Sequence, residues 1–219
     1  MKRRLASTSF LLFLVVLLVY VANGRAIGAG DTLPARYLPF SILRGHSFNL
    51  DEFPFLYGEE ARRAAVLDGI PYFLRYRDGH YLSAYSPAPA ILALPVYVAP
   101  VLVGVSAEVW APGLEKLSGA AITALSVVFL FWALTGLVSR GWALGIAAIY
   151  AFGTSSWSVS SQALWQHGPS QLFLALLLVC LVRGMKDERF LAYAGFAMSA
   201  ATVMRSTDLF MVLPVAAYV

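Results

Sequence analysis

The sequence predicts an all-α polytopic membrane protein whose long first extracytoplasmic loop carries short interfacial helices and a β-hairpin. Three observations predict this class. The 219-residue chain is 59% hydrophobic and only 13% charged, against about 25% charged in soluble globular domains. Apolar runs recur near 5–22, 88–105, 118–138, 141–153, 171–182 and 190–204, and polar or Gly/Pro-containing joints separate them. The basic residues also fall on alternate joints, as the positive-inside rule requires of a multi-pass chain.

The first run, Leu5 to Ala22, carries no charge and follows Lys2-Arg3-Arg4. It is longer than a secretory h-region, and the small residues after it make a poor cleavage site. It therefore reads as an uncleaved anchor with a cytoplasmic N-terminus. The run at 88–105 contains Pro89, Pro95 and Pro100. Each removes a helix hydrogen bond if interior, so this segment is either a span or a broken helix against the outer face. Charge decides between the two. If it does not cross, Arg140, Arg183, Lys186 and Arg189 all fall inside, and the 154–170 loop, without Lys or Arg, falls outside; only Lys116 argues against this. Residues 1–23 are then an N-terminal signal-anchor span, 24–117 the first extracytoplasmic loop, and 118–219 a transmembrane helix bundle. Cysteine accessibility at Ser118 and Ser156 would report this topology. The last apolar run starts at Leu209 and stops at Val219, too short to cross, so a longer parent protein is expected.

Within the first loop, Asp31 to Leu43 and Gly58 to Leu67 read as short helices. Leu33, Tyr37, Phe40 and Leu43 share one face of the former, which is expected to lie flat in the membrane interface. Asp78-Gly79 between Pro71–Arg77 and His80–Tyr85 is a hairpin signal.

Four polar constellations interrupt this apolar background. Asp31, just past the first span, is either a general base for an acceptor hydroxyl or a helix N-cap, and the two roles are compatible. Trp165, Gln166 and His167 lie between two apolar runs; they suit a sugar or phosphate head-group, or an interfacial belt. Arg205 and Asp208 flank Ser206-Thr207 at membrane depth. There the guanidinium either grips a phosphate or snorkels, paired with Asp208. Tyr85-Ser86-Pro87 leads into the 88–105 helix, whose start presents backbone N–H groups. The pI of 9.3 comes from scattered arginines with no basic run or nucleic-acid motif, so no nucleic-acid partner is expected. The single Cys180 sits in an apolar run and forms no intramolecular disulfide, and no Cys/His spacing marks a metal site.

An N-terminal span, an acid just outside it in the setting Asp31-x-x-x-x-Arg36-Tyr37, a long outer loop ending in a Pro-rich helix start, and then closely spaced spans resemble the GT-C membrane glycosyltransferases. These include bacterial relatives of protein O-mannosyltransferases and the lipid A aminoarabinose transferases. The resemblance covers the chain as the N-terminal part of such an enzyme. It implies a GT-C-like bundle in a bacterial inner or plasma membrane. It also implies a polyprenyl-phosphate-linked sugar as donor and transfer on the extracytoplasmic face to an acceptor hydroxyl of a protein, lipid or polysaccharide. Asp31 matches the family's first-loop acid, the base. Arg205 matches a basic residue after the fifth span. Arg36, Tyr85, Trp165, Gln166, His167 and Asp208 complete the substrate-binding set. Two departures stand out. Tyr85-Ser86-Pro87 occupies the place of a Lys-Pro-Pro-like contact to the carrier phosphate. No acid lies between Gly153 and Lys186, so the divalent cation that some relatives use lacks its second-loop ligand, and no cofactor is assigned. The alternatives are a non-enzymatic transport or assembly subunit, for which an acid at the midplane of a span would be expected, and an inactive fragment of the same family.

Overall fold

The structure, a computed structural model, describes residues 2–45, 47–59, 61, 66–67 and 69–218. It is mostly helical. Helix α1 (Lys2–Val21) leads through a short 3₁₀ turn (Gly30–Thr32) into α2 (Leu33–Leu43). Four short strands follow: β1 (Val66–Leu67), β2 (Ile70–Pro71), β3 (Leu74–Arg77) and β4 (His80–Ser83). Then come α3 (Ala88–Leu102), α4 (Ala107–Leu134), α5 (Arg140–Phe152), a π-helical turn (Ser156–Ser160), α6 (His167–Gly184), α7 (Arg189–Met204), a 3₁₀ stretch (Ser206–Met211) and α8 (Val212–Tyr218). Of the helix expected over Gly58 to Leu67, residues 60 and 62–65 lie outside the described residues, and the end, Val66–Leu67, is strand β1 and not helix.

Two helices, α4 and α6, are long and apolar enough to cross a membrane; the apolar part of α1 and the whole of α3 are shorter. Helix α5 has 13 residues, about 20 Å at 1.5 Å per residue, against a hydrocarbon core of about 30 Å. The bundle is organised around α4. Its C-terminal end lies beside the start of α1, where Trp132 Nε1 donates to Ser9 Oγ at 2.7 Å. Its first turns lie beside the end of α1, where Val21, Gly24 and Ala26 share a cavity wall with Pro112, Lys116 and Leu117. Thus α1 and α4 are antiparallel neighbours, and α3 returns the chain to the end of the bundle it came from. Helix α4 also begins at Ala107, earlier than the boundary at 118. The Glu108, Glu115 and Lys116 side chains lower the local hydropathy but not the helical tendency, since Glu and Lys are good helix formers.

The 24–117 region packs as a cap, with Tyr37, Leu38, Phe40, Leu50, Phe53, Leu56, Phe73, Leu74 and Tyr97 all buried, in a core that runs on into the bundle through Ile122, Leu164 and Leu172. Helix α2 is not a flat interfacial helix. Pro34, Leu38 and Ser41 are buried as well as Tyr37 and Phe40, so it is enclosed on more than one face, between α3 and α4. Strands β3 and β4 pair antiparallel with Arg77 opposite His80. Asp78 and Gly79 both take positive φ, +52° and +86°, as a two-residue type I′ connection requires. Asp51 ties this ribbon to the preceding loop: its carboxylate accepts from the Tyr81 backbone N–H at 2.7 Å and meets His80 Nδ1 at 2.6 Å. Tyr57 stacks on Tyr81 with ring centroids 3.8 Å apart.

Candidate functional site

Asp31 lies inside the 3₁₀ turn rather than before a helix. The N-cap of α2 is Thr32, with no side-chain capping bond, so the capping role expected for Asp31 is not the one it plays. Its Oδ1 accepts a hydrogen bond from Tyr72 Oη at 2.6 Å. Tyr72 reaches it because residue 30 is glycine: a Cβ there would sit 2.5 Å from Tyr72 Oη and 2.8 Å from Phe73 Cδ1. The bond to Asp31 raises the Tyr72 phenol to about 12, so Tyr72 stays a protonated donor through neutral and mildly alkaline pH. Tyr85 stands on the other side. Its phenol is pushed up by burial first and then by the Asp31 charge and a hydrogen bond to it.

Arg36 does not join this group. Its Nε and one terminal nitrogen both lie 2.7 Å from Glu115 Oε2. Glu115 is fully buried and the Arg36 side chain is 15% exposed. The substrate-binding role expected of Arg36 is thus replaced by a structural one. Glu115 Oε1 also accepts from the Leu164 backbone N–H at 3.3 Å, so a single carboxylate joins α2, α4 and the 161–166 segment.

A second side chain, that of Gln162, performs a similar joining role. Its Oε1 accepts from Asn23 Nδ2 and Lys116 Nζ, each at 2.7 Å, while its Nε2 donates to Trp157 O and Ser161 Oγ. Its backbone oxygen accepts from Ile27 N at 3.0 Å. Trp165 Nε1 returns the contact by donating to Ile27 O at 3.3 Å. Gly119 permits this approach, because a Cβ there would collide with the Ala163 carbonyl. The segment after α1, the first turns of α4 and the 154–167 segment therefore meet at one end of the bundle. Gln166, by contrast, forms the N-cap of α6 without a capping bond.

His167, Arg205 and Asp208 come together. With Ser155, Val159, Ser160, Ser170, Gln171 and Leu174 they line a cavity of about 390 Å³, within the range of about 300–1,000 Å³ usual for small-molecule sites. The charges that act on His167 are those of Arg205, Asp208 and Asp31, so Asp31 stands within electrostatic reach of the cavity although it does not line it. The Trp165 and His167 rings lie nearly parallel, 12° apart, with centroids 6.1 Å apart. Asp208, only 7% exposed, accepts from Ser170 Oγ at 2.5 Å. The expected Arg205–Asp208 pairing is not formed. Arg205, half-buried on the cavity wall, has no side-chain hydrogen bond or ion pair among the described residues. Among the described residues, no group of three or more His, Cys, Asp or Glu side chains is placed to hold a metal ion.

Tyr72 and Glu115 carry no assignment from the sequence alone, and Gln162 stands there only as part of the polar stretch Ser160–Ser170. Adjacent charges at 115 and 116 inside an apolar helix are a usable signal of buried function or pairing; Tyr72, whose partner lies 41 residues away, carries no local one. No protein family, curated protein or solved structure matches the chain.

Proposed function

We propose that the chain is a membrane glycosyltransferase, or its N-terminal part. It moves a sugar from a polyprenyl-phosphate carrier to an acceptor hydroxyl on the extracytoplasmic face of a multi-pass bundle. One observation carries the proposal: the segment that leads to Asp31 is hydrogen-bonded through Ile27 to Gln162 and Trp165, beside a cavity of sugar-binding size whose wall carries the Arg205 guanidinium. The antiparallel packing of α1 against α4 supports an α3 that does not cross, and it puts that end outside once the N-terminal lysine and arginines are inside.

In this mechanism the acceptor oxygen forms a bond to the anomeric carbon, and its proton passes to the Asp31 carboxylate. The bond from the anomeric carbon to the phosphate oxygen breaks, and the electron pair leaves with polyprenyl phosphate. Arg205 holds that phosphate and balances its charge as it departs. Phosphate is already a good leaving group, so positioning and one base suffice. His167 and Trp165 form the wall between donor and acceptor.

The donor half is tested without knowing the sugar. Short-chain polyprenyl phosphate, titrated into the detergent-solubilised full chain, is expected to change the fluorescence of Trp157 and Trp165. Arg205→Ala is expected to weaken its Kd about ten- to hundred-fold, the value of a lost charged hydrogen bond, and Arg205→Lys to recover part of it. Equal Kd for wild type and Arg205→Ala would remove Arg205 from the phosphate site.

A further inference from the structure

We propose that Tyr72 is a positioning residue for the transfer step: it anchors Oδ1 of Asp31 so that Oδ2 alone faces the acceptor hydroxyl. This inference rests on Asp31 being the base. A free aspartate on a short turn samples several rotamers, and each presents a different oxygen in a different direction. The Tyr72 phenol removes that freedom. It comes from the opposite side of the cap, on a residue whose neighbours Phe73 and Leu74 are buried in the cap core. The ribbon that follows is tied down in turn by Asp51. Tyr72 lies in the turn between β2 and β3, and the buried side chains that flank it hold that turn, and with it the oxygen, in place. Gly30 is part of the same device, since any side chain at that position would displace the phenol.

The anchor also explains why one carboxylate suffices in this cap. The hydrogen bond into Oδ1 makes that oxygen the weaker proton acceptor, so the proton from the attacking hydroxyl passes to Oδ2. The resulting acid keeps its orientation because Tyr72 remains a donor to the other oxygen. Tyr85, on the other flank, closes the space around the same carboxylate.

The full-length protein in its own host membrane supplies both native donor and native acceptor. Polyprenyl-phosphate sugars in lipid extracts, followed by mass spectrometry, read the rate of donor consumption per mole of folded protein. Tyr72→Phe is expected to slow consumption about ten-fold, with an unchanged melting temperature. In an Asp31→Glu background, where the longer side chain no longer meets the phenol in register, Tyr72→Phe is expected to cost less than about two-fold. Purely structural Tyr72 would give the same loss in both backgrounds, together with a lower melting temperature, and would overturn the proposal. Wild-type consumption by Tyr72→Phe would also overturn it. If no polyprenyl-phosphate sugar accumulates in Asp31→Asn, the transferase reading itself fails, and the anchor fails with it. If Asp31→Asn accumulates donor and Tyr72→Phe does not, only the anchor is wrong.

Discussion

On the proposed mechanism, Asp31→Asn is expected to lower sugar transfer by about a hundred- to ten-thousand-fold, the range for loss of a general base, with insertion and folding unchanged. Asparagine has nearly the shape of aspartate, and its Oδ1 still accepts from Tyr72 Oη. The cap around Gly30, Phe73 and Tyr85 therefore keeps its packing. What disappears is the ability to take a proton from the acceptor hydroxyl. Transfer from a lipid-linked donor in membrane vesicles, set beside thermal unfolding in detergent, separates the two. The expected pattern is a large loss of rate with a melting temperature within about 2 °C of wild type, since no buried contact is removed. Wild-type turnover in Asp31→Asn would take the carboxylate out of the mechanism.

The opposite pattern is expected at Glu115. Glu115→Ala leaves Arg36 in the core without its counter-charge, and the Leu164 N–H without its acceptor. Breaking one side of a buried ion pair costs about 3–5 kcal/mol. For a chain of this size that corresponds to a fall in melting temperature of about 10 °C. Activity falls as well, because the same carboxylate holds the 161–166 segment against α2. The control is the double replacement Arg36→Met with Glu115→Leu, in which no charge is left buried. It is expected to recover most of the lost stability but not the tether to Leu164. A melting temperature unchanged by Glu115→Ala would contradict the joint between cap and bundle described here.

The helices were largely legible in the sequence because each is an apolar run bounded by glycine, proline or charge, and Asp78-Gly79 carries the two positive φ values that join β3 to β4. The start of α4 was not legible by hydropathy, since Glu115 and Lys116 look like loop residues until their partners are known. Nor was the burial of α2. Its apolar face was read as one stripe, but Pro34, Leu38 and Ser41 lie off that stripe and are buried too. In the site, His167, Arg205 and Asp208 could be singled out because each interrupts an apolar stretch. The ion pair of Arg36 and the hydrogen bonds of Tyr72 and Gln162 are not legible in the sequence, for one physical reason. Their partners lie 79, 41 and 139 residues away, and nothing in local spacing encodes a contact at that range. Burial also changes which residues can report topology: Ser118 and Ser156 are both fully buried and would not label from either side.

The proposed function requires that Asp31, the cavity and Arg205 share the extracytoplasmic face. Ser158 is exposed on the segment tied to Asn23 and Ile27, and Met185 is exposed at the other end of the bundle. With the buried Cys180 replaced by alanine, Ser158→Cys and Met185→Cys are each treated with a membrane-impermeant maleimide in intact cells. Ser158→Cys is expected to label at once, and Met185→Cys only after permeabilisation, if the proposed topology holds. The reverse pattern, with Met185→Cys reactive from outside and Ser158→Cys shielded, would place the site on the cytoplasmic face and contradict it.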